Sequence, residues 1–473
     1  MKKVVYFIMA GGEGMRLWPM SRAHFPKQLH PLLGDVSLLQ QSIQRLLDKG
    51  KSENILIGTR EDLYFSIKEQ WQDLKIPSQP WLILEPIGRN TAPAIALAVL
   101  ACRERFGEDV ILAVFAADHV IKKNERFRCL LKTGIRMAEQ GSIVTFGIIP
   151  TYPETGYGYI KTGKKIGKDV YAVAEFKEKP DLAKAKHYLQ SRNYLWNSGM
   201  FIFDTKVITD NLSKFAPRVW SAAQKAWGKR IDNHESTRFE KKLFSAFPNI
   251  SIDYAVMEKA PSSAVIKADF GWCDVGCWQM VHEMSAKDQD NNVFSGEVLG
   301  LDTKNSFIKA DNRLVATVGV KDLIVIDTPD ALLICHKERS QDVKKVVEEL
   351  NARKSLLTKF HVTVYRPWGN YTVLEEGPGY KIKRVVVKPK QQLSLQKHKF
   401  RSEHWVMVSG KAKIICGDNS ILLKSNESIF IPRSRKHRIT NPFGKEAVII
   451  EVQTGAVITE DDIVRFADIY QRA

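Results

Sequence analysis

Over the first 280 or so residues, short apolar runs alternate with segments of helical period. Val, Ile and Leu crowd positions 4–9, 54–58, 81–84, 110–116 and 143–146, and runs of this length and β-branched content predict strands. Between them, 38–49, 92–106 and 127–140 repeat apolar residues at three- and four-residue intervals, as helices with one buried face do. The alternation predicts an α/β domain: a parallel or mixed sheet flanked by helices, with ligand loops at the carboxyl ends of its strands.

Near residue 290 the period changes. Short strands are predicted at 293–301, 306–309, 314–318, 323–328 and 331–336, and a helix over 340–353 closes that stretch. Beyond about 360, strands and turns dominate, at 381–388, 403–409, 412–416, 428–431 and 447–452. This last part predicts a compact antiparallel barrel or jelly roll. The expected organisation is therefore a domain over 1–285, a β-rich connecting subdomain over 286–355 and an all-β domain over 356–473. The boundary near 355 rests on the change of period alone.

Composition narrows the classes. Hydrophobic residues at 44% and charged residues at 26% exclude a largely disordered chain. The apolar run at 4–9 is too short to span a membrane, and glycines follow it rather than a cleavage site, so a soluble cytoplasmic protein with no membrane association is expected. Cys102, Cys129, Cys273, Cys277, Cys335 and Cys416 lack disulfide-framework spacing. The pair Cys273 and Cys277 has no second pair to complete a zinc site, so free thiols are expected. The formal charge of +18 suits polyanionic partners, but the basic residues are spread out and form no nucleic-acid-binding motif. Charge alone does not choose among nucleic acid, acidic lipid, phosphorylated small molecules and plain solvated surface; a homo-oligomer is left open.

The first strand runs into Ala10-Gly11-Gly12-Glu13-Gly14-Met15-Arg16-Leu17-Trp18-Pro19, followed by Pro26-Lys27-Gln28. Gly11, Gly12 and Gly14 let backbone N–H groups approach phosphate oxygens, while Arg16 offers a planar fork and Lys27 a compact charge. The loop lacks the G-K-[S/T] ending of a Walker loop and does not fit G-x-G-x-x-G. This pattern resembles the signature of the sugar-1-phosphate nucleotidyltransferases. Later segments resemble those of mannose-1-phosphate guanylyltransferase: Glu85-Pro86-Ile87-Gly88-Arg89-Asn90-Thr91-Ala92-Pro93, Ala117-Asp118-His119, Phe176-Lys177-Glu178-Lys179-Pro180, Trp196-Asn197-Ser198-Gly199-Met200 and Gly271-Trp272-Cys273-Asp274-Val275-Gly276. The whole chain resembles bacterial two-domain enzymes that join this transferase to a cupin-type phosphomannose isomerase domain.

The resemblance implies a Rossmann-like nucleotidyltransferase domain with a mixed sheet, a nucleotide site from Gly11, Gly12, Gly14, Arg16, Glu85, Arg89, Asn90 and Thr91, and a sugar-phosphate site from Gly158, Glu178, Lys179 and Asn197. Asp118, after the strand at 110–116, and Asp274, between Trp272 and Trp278 in a glycine-containing loop, form a carboxylate pair suited to Mg²⁺. Asn197 is expected in a loop entering a strand at 200–203. The implied substrates are GTP and mannose 1-phosphate. The sugar phosphate oxygen is already a nucleophile, so no general base is required: catalysis would position two anions and neutralise charge with Arg16, Lys27, Lys179 and the Mg²⁺ held by Asp118 and Asp274. A transferase using another nucleotide or hexose, and a non-catalytic sugar-nucleotide sensor, are the rival readings.

In the last domain, Leu393-Ser394-Leu395-Gln396-Lys397-His398-Lys399-Phe400-Arg401-Ser402-Glu403-His404-Trp405 and Ile431-Pro432-Arg433-Ser434-Arg435-Lys436-His437-Arg438 resemble the isomerase motifs. Gln396, His398, Glu403 and His437 are the implied ligands for Zn²⁺ or another divalent ion. Many cupins carry His-x-His where this chain has His398 and Phe400, a departure that leaves two outcomes open: a mannose 6-phosphate/fructose 6-phosphate isomerase, or a structural module.

Overall fold

The computed structural model describes residues 2–47 and 53–467; the last two positions of the helix expected over 38–49 lie outside them. The chain forms two compact units, Met1–Thr328 with Leu332–Thr358, and Lys359–Ala473 with Pro329–Ala331.

The first unit is built on an eleven-stranded mixed sheet. Its centre runs Trp81–Glu85, Ile55–Arg60, Lys3–Met9 and Val110–Ala116, all parallel, with Tyr6 beside Ala113 and Met9 beside Ala116. Tyr194–Asp204 then enters antiparallel, followed by Ile143–Ile148 and Ser263–Ala268, and the hairpin Val170–Lys177 and Tyr159–Gly167 forms the edge. Strand order reverses between Lys3–Met9 and Val110–Ala116. The loops leaving these neighbours diverge there and open a crevice at their carboxyl ends.

Alternation along each strand fills both faces. Val5, Phe7, Leu112 and Val114 join one core with the helices Thr91–Phe106, Thr205–Phe215 and Pro217–Trp227. Ile8, Ile111, Ala113 and Phe115 join the other with Leu38–Leu46, Tyr64–Asp73 and Asn124–Glu139. Each fully buried side chain of this size contributes about 1.5–3 kcal/mol. The helix Leu38–Leu46 starts at a capping box, in which Ser37 Oγ accepts from Gln40 N and the Gln40 side chain accepts from Ser37 N.

Residues 293–328 coil as short parallel strands. Val293–Ser295, Phe307–Lys309 and Leu323–Thr328 stack on one side, and Val298–Leu301 and Val315–Val318 on another. The single strand expected over 293–301 is thus two, broken where Gly296 (φ +84°) turns a corner that a Cβ would close against the Ala310 carbonyl. The expected helix over 340–353 starts as a 3₁₀ segment, Lys337–Asp342, and becomes α-helical over Val343–Ala352.

The second unit is two antiparallel sheets face to face, a jelly roll. One holds Thr363–Arg366, Gly369–Gly377, Tyr380–Val387, Ala447–Gly455, Arg401–Ser409 and Ser428–Ile431. The other holds Asn419–Lys424, Lys411–Cys416, His437–Asn441, Leu395–His398 and Ile463–Ala467. Val385, Val387, Trp405, Met407, Ile414, Ile439 and Ile449 fill the space between them.

Candidate active site

The crevice at the strand reversal collects most of the residues singled out in the sequence. Gly14 takes a left-handed φ of +63°, and a Cβ there would lie 2.7 Å from Lys27 Cγ, so the turn needs glycine. A Cβ at Gly11 or Gly12 would meet nothing within 4 Å, which leaves the outer face of the loop open. Gln28 props the loop from beneath, donating to the carbonyls of Ala10 at 2.9 Å and Gly12 at 3.1 Å.

Lys27 is buried at the centre. Its Nζ lies 2.9 Å from Asp118 Oδ2 and donates to the Asp274 carbonyl at 2.8 Å. Burial penalises this ammonium, but the Asp118 and Asp274 carboxylates outweigh the penalty and hold its pKa above the ordinary lysine value. Burial also opposes ionisation of Asp118, and Lys27 and His119 outweigh it, keeping that carboxyl below its usual range. Asp274 Oδ1 accepts from Tyr157 Oη at 2.6 Å. The phenol stays protonated, because burial and the Asp274 charge both push its pKa far up. Tyr157 packs edge-on against Trp196 and Trp272, each with centroids 5.3 Å away. Val275, beside Asp274, sits at φ +48°, a conformation costly for a β-branched residue. The Asp118 carboxylate pairs directly with the Lys27 ammonium, and Asp274 reaches it through its backbone carbonyl while its carboxylate is held by Tyr157; carboxylates of this kind are the oxygen donors a divalent cation takes.

Where the resemblance puts the sugar phosphate, a Cβ at Gly158 would collide with Glu178 Oε2, so only glycine leaves that carboxylate its place. Lys179, at φ +45°, pairs with Glu178 at 2.9 Å. Asn197 lies inside the strand Tyr194–Asp204 rather than in a loop entering a strand, because the run Tyr194 to Trp196 already pairs with Tyr159–Gly167. Its Nδ2 donates to Asp253 Oδ1 at 2.9 Å, and its Oδ1 accepts from Gly199 N at 3.1 Å. Asp253, which opens a π-helical turn over Asp253–Met257, is pushed up to about 6 by burial and by the Glu178 charge. Its sequence neighbourhood carries no spacing that marks it.

Where the resemblance puts the nucleotide, Glu85 ends its strand buried, with Oε1 unpartnered, and burial pushes its carboxyl up to about 8. Asn90 (φ +68°) caps the helix Thr91–Phe106 by accepting from Thr91 N, and Thr91 Oγ1 accepts from Ile252 N at 2.9 Å, next to Asp253. Arg89 donates to the Ser245 carbonyl at 2.9 Å. Arg16 is exposed and donates to Gln341 Oε1 at 2.7 Å.

A family model described as nucleotidyl transferase matches residues 5–291. The chain belongs to the nucleotidyltransferase family. In this nucleotidyltransferase, residues 296–350 match a MannoseP isomerase/GMP-like beta-helix model and residues 353–468 a mannose-6-phosphate isomerase C-terminal model. It is 44% identical, over all of both chains, to the xanthan biosynthesis protein XanB of Xanthomonas campestris pv. campestris. It is 43% identical, over 99% of each chain, to the mannose-1-phosphate guanylyltransferase of Escherichia coli K12. The crystal structure of mannose-1-phosphate geranyltransferase from Thermus thermophilus superposes with a TM-score of 0.65 at 34% identity, covering 74% of this chain and 99% of that one. Among the described residues of the nucleotidyltransferase no helix is long and apolar enough to cross a membrane.

The nucleotidyltransferase carries a second cluster in its jelly roll. His398, Glu403 and His437 are all buried, and one ligand atom from each lies within 4.8 Å of the others. His437 Nδ1 bonds the Arg435 carbonyl at 2.9 Å, which leaves Nε2 directed at Glu403 Oε2, 3.6 Å away and without a hydrogen-bond partner. That tautomer is the one a metal-ligating histidine uses, and two histidines with a glutamate make a divalent-metal set. Gln396 pairs across the sheet with His437 and lines a cavity together with Glu403 and Arg401. Arg401, not foreseen as a site residue, is buried beside the cluster, donating to Glu403 Oε1 at 3.1 Å. Glu403 stays ionised: burial opposes its charge, and His398, His437 and Arg401 together outweigh it. Phe400 falls in the turn between strands with its side chain exposed, so the cluster forms without that position.

Proposed function

We propose that the chain is a mannose-1-phosphate guanylyltransferase, converting GTP and mannose 1-phosphate to GDP-mannose and diphosphate. The observation that carries this reading is the Lys27–Asp118–Asp274 cluster lying between an open glycine loop and the Glu178–Asn197–Asp253 group. Gly11, Gly12, Gly14, Arg16 and Lys27 hold the triphosphate, and Gly158, Glu178, Lys179 and Asn197 hold the sugar phosphate. A phosphate oxygen of mannose 1-phosphate attacks the α-phosphorus, the bond to the bridging oxygen breaks, and diphosphate leaves. Lys27 lowers the repulsion between the two anions, and the fixed donors cost no reorganisation as charge shifts. Asp118 and Asp274 would hold Mg²⁺, which supplies charge neutralisation at the phosphates when bound.

Guanine selection is assigned to Glu85, Asn90 and Thr91. Guanine presents two adjacent N–H donors, which the two oxygens of Glu85 match once those donors draw it into its ionised form; adenine presents no such pair. Glu85 has an unpartnered buried oxygen at the strand end where a base would lie.

A second activity, isomerisation between mannose 6-phosphate and fructose 6-phosphate, is assigned to the jelly roll. The buried His398–Glu403–His437 cluster, with Gln396 beside it, favours this over a purely structural module. These residues would hold Zn²⁺ or a similar ion.

Release of diphosphate from GTP and mannose 1-phosphate, with the sugar nucleotide identified by mass, tests the first activity. GDP-mannose that disappears on chelation supports it. Turnover only with another nucleotide or hexose phosphate would keep the chemistry and overturn the substrate assignment.

A further inference from the structure

The segment 340–358 touches both loops of the transferase site. Gln341 Oε1 accepts from Arg16 Nη1 at 2.7 Å, the Leu357 carbonyl accepts from Trp18 Nε1 at 3.1 Å, and the Thr358 carbonyl accepts from Ala23 N at 3.0 Å. All three donors belong to the phosphate loop or its continuation. On the other side, buried Ser340 accepts through Oγ from Gln279 N at 3.4 Å, at the start of the helix Trp278–Met284 that follows Asp274. Trp278 Nε1 closes the circuit by donating to the Trp18 carbonyl at 2.9 Å. The connecting segment therefore latches the phosphate loop to the Asp274 loop.

We propose that this segment is a working part of the transferase site, and that Gln341 is a positioning residue that presents Arg16 to the triphosphate. An exposed arginine held by nothing samples many rotamers and must be ordered when the nucleotide binds. Gln341 occupies one of the five guanidinium N–H groups and leaves the others for phosphate oxygens. An amide does this without cancelling the arginine charge, whereas a carboxylate would compete with phosphate for the same fork. The proposal rests on the reading that Arg16 meets the triphosphate.

Steady-state kinetics on the full-length enzyme separate the two. Gln341→Ala is expected to raise the KM for GTP about tenfold, with kcat changed far less and the melting temperature unchanged, since the side chain is exposed. Gln341→Glu keeps a partner for Arg16 but neutralises it, and is expected to raise that KM further. Arg16→Ala combined with Gln341→Ala should be no worse than Arg16→Ala alone. A wild-type KM in Gln341→Ala, alongside an impaired Arg16→Ala, would overturn the positioning role and leave the phosphate role of Arg16 intact. A wild-type KM in Arg16→Ala would overturn both. Losses that multiply in the double variant, or a lowered melting temperature with KM unchanged, would make the latch purely structural and overturn the proposal.

Discussion

Tyr157 donates its hydroxyl hydrogen to Asp274 Oδ1 at 2.6 Å, joining the loop that carries Gly158 to the carboxylate proposed to hold the metal. A short bond from a neutral phenol to a carboxylate fixes that group's orientation and spares it a rotamer search at each turnover. Tyr157→Phe keeps the packing on Trp196 and Trp272 and removes this bond together with a weak 3.8 Å contact to Met280 Sδ. Its kcat is expected to fall about tenfold or more, the equivalent of roughly 1.5–3 kcal/mol for a hydrogen bond to a charged group. Mn²⁺ binding followed by electron paramagnetic resonance should weaken in parallel. Unchanged Mn²⁺ binding would detach Tyr157 from the metal carboxylate.

Asp274→Ala is expected to abolish transfer while GTP binding, measured by calorimetry, falls much less. A metal at two carboxylates chiefly stabilises charge as the α-phosphorus is attacked, so its loss appears in kcat rather than in ground-state affinity. Turnover near the wild-type rate would remove Asp274 from the site.

Glu85 gives the empty enzyme a pH dependence. Burial holds its carboxyl at about 8, above its ordinary unfolded value. The neutral group's contribution to stability is therefore fully present below the unfolded value and is lost as pH rises toward the folded one. Thermal unfolding without nucleotide should show stability falling between about pH 5 and pH 8, by an amount on the order of a few kcal/mol. Glu85→Gln should flatten that slope and raise the KM for GTP. A wild-type slope in the variant would mean that other groups set it.

The sheet and the jelly roll were legible because both rest on periodicity, which burial imposes residue by residue: Val110–Ala116 alternates between two cores, and its pattern says so without any partner. Gly14 was legible because only glycine tolerates the turn against Lys27. What escaped was made by contacts distant in the chain. Asp253 reaches Asn197 through a single π-helical turn, and Arg401 is drawn into the jelly roll by Glu403 and the Thr459 carbonyl. Neither has a local signature, since an aspartate or arginine near an aromatic residue looks like any solvated charge. Asn197 was expected in a loop entering a strand, and its surroundings differ: the strand containing it is extended by pairing with Tyr159–Gly167, a register no local pattern records.

Phe400 tests how the jelly-roll cluster is built. A sequence view makes it the lost second histidine of a His-x-His pair, so Phe400→His should then gain a ligand. The structure puts position 400 in an exposed turn, 42% accessible, with its N–H bonded to Asp462 and its side chain outside the buried cluster. A histidine there points into solvent. Phe400→His is therefore expected to leave bound metal, measured by mass spectrometry of the dialysed protein, and unfolding temperature as in the parent. His398→Ala should lose both the metal and any isomerase turnover, because it removes one of three buried donors and leaves only Glu403 and His437 to hold the ion. Transferase activity should survive His398→Ala, since no residue of that cluster belongs to the unit that holds Lys27 and Asp118. A rise in bound metal or thermal stability in Phe400→His would mean that the turn rearranges to bring position 400 inward, and that the two-histidine cluster is incomplete as it stands.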